Sequence, residues 1–68
     1  MPDPDPHHAE RRRLRHDLAG AFNELRLCTE VLRFESDPQR LLEWLDQIEQ
    51  AAARCVSVLD EFESLPPP

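Results

Sequence analysis

Lysine is missing from this chain of 68 residues, glycine occurs once, and there are only two cysteines. Nor is there an apolar run long enough to cross a bilayer, or a charged segment leading into an apolar stretch as in an export signal. Each lack excludes something. Two thiols do not make a disulfide framework, so we expect them reduced, in a cytoplasmic protein without a membrane partner. One glycine cannot build a glycine-rich nucleotide loop, so the chain does not bind ATP as a kinase catalytic domain does. The net charge of −6 leaves too few cations for general nucleic-acid binding, which depends on neutralising phosphates. The length allows one small domain, marginal alone without a disulfide, a metal or a partner.

What is present is helical. Residues 1–5, MPDPD, read as a disordered lead-in, because alternating prolines forbid regular hydrogen bonding. Asp5 followed by Pro6 then offers an N-cap and a first helical residue. From Leu14 the apolar seam is Leu14, Leu18, Ala21, Leu25, Cys28 and Leu32, with alternating steps of 4 and 3. A second stripe of Phe22, Leu27, Val31 and Phe34 widens that face. The break falls at Phe34–Gln39, where Ser36 with Gln39 matches a capping box and Asp37-Pro38 offers an alternative start. Helix two carries the seam Leu41, Leu45, Ile48, Ala52, Cys55, Leu59 and Phe62, flanked by Trp44, Ala51, Val58 and Leu65 at every seventh position.

These signals predict an all-α fold, an antiparallel two-helix hairpin with helix one over about 6–35 and helix two over about 38–65, ended by the prolines of 66–68. The apolar face is too broad for one neighbour, so the hairpin is expected to form a homodimeric four-helix bundle. With the turn near residue 37, Cys28 and Cys55 lie several turns apart and cannot pair within one chain. They are read as small core residues.

The stretch Arg11–Phe22, RRRLRHDLAGAF, carries the chemistry. His16 lies two residues from both Leu14 and Leu18, so it points away from the seam into water. A wet imidazole is mostly neutral at pH 7, and its lone pair can attack the γ-phosphoryl of ATP or the acyl phosphate of an aspartate held in line. Asp17 can orient the ring or accept the proton it releases. Gly20, one turn on, costs a mid-helix position about 1 kcal/mol relative to alanine and leaves bare backbone beside the imidazole. Close helix packing is the competing explanation, but residue 20 is off the seam. Among the cations, Arg12, Arg13 or Arg15 can contact phosphate, though each is as easily a solvated surface residue. The adjacent His7 and His8 point about 100° apart, and His8 and His16 are two turns apart, so no metal site is expected. No cofactor is implied.

His16-Asp17-Leu18 resembles the start of the H-box of the dimerisation and histidine-phosphoacceptor domain of two-component sensor histidine kinases (DHp, HisKA-like). Gln47-Ile48-Glu49-Gln50-Ala51-Ala52-Ala53-Arg54 through Leu59-Asp60-Glu61-Phe62 is similar to that family's second helix, I-x-x-A-A-x-R followed by L-x-x-F. The resemblance implies that His16 is phosphorylated and that Asp17 assists. Two departures matter. Gly20 stands where the family carries a threonine, asparagine or glutamine that orients water for receiver dephosphorylation, so phosphatase activity is not implied. Ala21 stands where a proline often bends helix one. His16-x-Leu18-x-Gly20 also resembles the H-x-L-K-G motif of histidine phosphotransfer domains, with Ala19 in place of its lysine.

The expected function is therefore that of a phosphoacceptor: His16 takes a phosphoryl group from a histidine kinase catalytic domain and passes it to a receiver aspartate. The receiver would dock around Arg12, Arg15, Ala19 and Asn23. The alternative is a hairpin dimer that binds and regulates a histidine kinase or response regulator without carrying phosphate. The chain is either free-standing and served in trans or a fragment of a kinase, and Met1 with the proline tail favours the first.

Overall fold

In the computed structural model, which describes residues 5–67, the chain is a hairpin of two α-helices, α1 (His8–Phe34) and α2 (Pro38–Ser64). There is no strand among the described residues. The lead-in expected at 1–5 lies outside them except for Asp5, as does Pro68 of the tail. The helices are antiparallel: Arg13 meets Glu61, Arg54 meets Glu24, and Arg11 donates to the Pro66 carbonyl.

The turn follows the second of the two starts open in the sequence. Asp37 is the N-cap, its carboxylate accepting from the Gln39 N–H at 3.0 Å, with Pro38 in the first turn. The capping box from Ser36 is not used. At the other end α1 begins later than expected, at His8, and its N-cap, His7, makes no side-chain capping bond. Asp5 is spent on a turn instead. Its carbonyl accepts from the His8 N–H at 3.2 Å, and its carboxylate accepts from the His7 N–H at 3.0 Å and Arg11 Nε at 2.9 Å.

Buried residues in α1 recur at every seventh position, Leu14, Ala21 and Cys28. On α2 the facing line is Trp44, Ala51, Val58 and Leu65, with Ala51 fully enclosed and the others half-buried. Within the single chain only part of the seam expected for helix two packs on α1. Leu41, Ile48, Cys55 and Phe62 do turn toward α1, whereas Leu45, Ala52 and Leu59 are exposed. The reason is the small residues: where Ala21 and Ala51 let the two backbones approach, the stripe containing Ala51 becomes the contact line and displaces its neighbour.

Counting from those central lines separates two faces. Three residues on, one flank carries Asp17, Glu24 and Val31 of α1 and Gln47, Arg54 and Glu61 of α2. Four residues on, the other flank carries Leu18, Leu25 and Leu32 with Ile48, Cys55 and Phe62. Beyond these on the apolar flank, Phe22, Leu45, Val56 and Leu59 remain exposed, each near half of its surface. The chain measures 55 × 20 × 10 Å, a slab one helix thick, so nothing among the described residues covers that face. Among the described residues Leu14 is the one large side chain with no exposure.

Candidate functional site

Of the two faces, the polar one holds the candidate site. A shallow groove between the helices is lined by Arg13, His16, Asp17 and Gly20 of α1 and by Arg54, Ser57, Val58 and Glu61 of α2. His16 is exposed, as expected from its spacing, and lies on the side away from Leu18, Phe22 and Leu25. Gly20 is helical with no positive φ, and a Cβ built on it would meet nothing within 4 Å. Close packing between α1 and α2 therefore does not account for the glycine.

The arginines differ in how committed they are. The Arg13 guanidinium contacts Glu10 at 2.8 Å, Asp17 at 3.1 Å and Glu61 at 3.8 Å. The hydrogen bond to Glu10, followed by that group's charge, holds Arg13 above the ordinary arginine range. The Asp17 carboxylate thus accepts from Arg13, and no hydrogen bond from the ring of His16 to it is formed. Arg12, Ala19 and Asn23 are exposed and lie within about 60° of His16 around α1. Arg15 is about 100° round from His16, on the flank of Phe22, and does not line the groove.

Reading α1 alone missed the contribution of α2. Arg54 and Ser57 enter the groove because their positions follow the contact line by three and six residues. The signal was available as a run of polar residues, Gln47, Arg54 and Glu61, at seven-residue intervals, but it becomes a site only once the antiparallel register is known. Arg54, which is exposed, pairs across the hairpin with the half-buried Glu24.

A second groove near the turn, lined by Val31, Glu35, Arg40, Glu43, Trp44 and Gln47, holds no imidazole or thiol. Among the described residues no group of three histidine, cysteine or acidic side chains is placed to hold a metal, and no helix is long and apolar enough to cross a membrane. Both cysteines are free and buried. No family model matches this chain, and neither a curated protein nor a solved structure is significantly similar to it.

Proposed function

We propose that this chain is a cytoplasmic histidine phosphoacceptor of the two-component type, working as a homodimeric four-helix bundle. His16 takes a phosphoryl group from a kinase catalytic domain and hands it to a receiver aspartate. The observation that carries this reading is the groove itself: the imidazole is exposed beside Arg13 and Arg54, while Phe22, Leu45, Val56 and Leu59 lie uncovered on the opposite flank and the exposed Leu27 and Phe34 share the His16 side nearer the turn. A second copy covering the apolar side leaves both imidazoles reachable. The resemblance of His16-Asp17-Leu18 and of residues 47–62 to the phosphoacceptor family gives the chemistry its direction.

In the transfer step one imidazole nitrogen forms a bond to phosphorus as the bond to the leaving ADP oxygen breaks and the proton on the other ring nitrogen passes to water; a receiver carboxylate then attacks phosphorus, forming an acyl phosphate as the N–P bond breaks and the ring regains its proton. Asp17, tied to Arg13, acts here less as the base than as an anchor for the cation beside the ring. The test is incubation of the purified protein with a panel of kinase catalytic domains and phosphorylated receivers. Acid-labile, base-stable phosphate lost in His16→Gln is the expected result. An unmodified protein that still binds one of these domains would replace the relay with the regulatory hairpin, and a monomer in light scattering at micromolar concentration would remove the bundle.

A further inference from the structure

On the reading of His16 as a phosphoacceptor, the geometry points to Arg54 of α2, assisted by the Ser57 hydroxyl, as the group that holds the phosphoryl once it is on the imidazole. A lysine is absent from the whole chain, and the arginines of α1 are poorly placed for the task. Arg13 is shared among three carboxylates, Arg15 is on the wrong flank, and Arg12 is outside the groove. Arg54 lines the same groove as His16 and lies level with Gly20, about 6 Å along the axis from the imidazole's own position. Its present partner, Glu24, lies further toward the turn, and a pair this exposed contributes little stability.

Between the two arginine positions stands Gly20, with open space where a Cβ would be. The guanidinium can therefore swing from Glu24 across bare backbone to a phosphoryl on His16, exchanging one carboxylate for a more highly charged acceptor with three oxygens. Ser57, one turn beyond Arg54 on α2 in the same groove, offers a neutral donor. Asp17 and Glu61 also line the groove and oppose a dianion, which makes a mobile cation from α2 necessary.

Phosphoramidate tests this independently of any kinase. It transfers its phosphoryl to an exposed imidazole: the P–N bond to ammonia breaks, the bond from phosphorus to the ring nitrogen forms, and the ring proton leaves with the ammonia. In a His7→Gln, His8→Gln background, His16 is the only imidazole, and phosphorus NMR follows the second ionisation of its phosphoryl group with pH. A guanidinium at hydrogen-bonding distance favours the dianion, so Arg54→Gln should raise that pKa by about one unit, Arg54→Lys should keep most of the wild-type value, and Arg12→Gln should leave it unchanged. Loss of the shift in Arg12→Gln rather than Arg54→Gln, or no difference among the variants, overturns the assignment. Failure of every kinase with this result intact would instead sink the phosphoacceptor reading alone.

Discussion

Gly20→Ala separates what the fold requires from what the site requires. Residue 20 is in the interior of a helix of 27 residues, with no positive φ, and beyond its own helical backbone the added methyl meets nothing within 4 Å. With neither clash nor new packing, the change reduces to helix propensity and the lost freedom of the unfolded chain, about 1 kcal/mol in favour of alanine. That is about fivefold in the folding equilibrium, or a rise of about 4–8 °C in Tm for a domain of this size. Thermal melts followed by circular dichroism at one protomer concentration measure it directly, since dimerisation makes Tm concentration-dependent. The same methyl stands in the groove between His16 and Arg54, so phosphotransfer to a receiver should fall about tenfold while the fold gains. A variant no more stable than wild type would mean that something in the assembly packs on Gly20. One that is stabilised and transfers at the wild-type rate would refute the functional account of the glycine.

Other perturbations test the parts of the hairpin separately. Leu14→Ala removes a large side chain with no exposure and should cost about 2–5 kcal/mol in urea unfolding, enough to abolish cooperative unfolding in a chain this small. Asp37→Ala should cost about 1 kcal/mol through loss of the cap on α2, with Asp37→Asn close to wild type, read from the same urea midpoints. The Asp5 carboxyl is held below its ordinary 3.8, chiefly by the His7 N–H and then by Arg11. Its contribution is therefore complete above that ordinary value and is lost as pH falls through the lowered one. Amide exchange at His8–Glu10 should speed up over that interval in wild type, and Asp5→Asn should flatten the response.

Much of this was legible because the local signals agree. Asp37-Pro38 marks a helix start with a donor-free first residue and an acceptor for Gln39, and the structure uses both. Leu14, Ala21 and Cys28 repeat every seven residues, and their burial follows from that period alone. Helix two was harder because it has two apolar stripes of nearly equal quality. Hydrophobicity ranks Leu45 and Leu59 above Ala51, yet burial goes to Ala51, since small residues set how closely two backbones meet. The start of α1 was displaced for a different reason: Asp5 has Arg11 as a partner six residues on, and that long-range pair is not encoded in a capping rule. His16 was found because its direction depends only on α1, whereas Arg54 and Ser57 join it only through the pairing of two helices.

That dependence on pairing bears on how such a site is controlled. The neighbours of His16 on its own helix are fixed by the 3.6-residue turn and cannot change while α1 stays helical. The distance from His16 to Arg54 is set by register between the helices, which is anchored at one end by the Asp37 turn and at the other by Arg11 holding the Pro66 carbonyl. Between those anchors the buried residues other than Leu14 are alanine and cysteine, which interlock far less than leucines would. A shift of α2 by one turn toward the Asp37 turn would carry Arg54 about 5 Å further from the level of the imidazole and leave the ring with only the preoccupied Arg13. Small residues along the contact line thus place the reactivity of His16 under the control of helix register, and Asp37→Ala, which loosens one anchor, should weaken the effect of Arg54 on the phosphorylated ring as well as the fold.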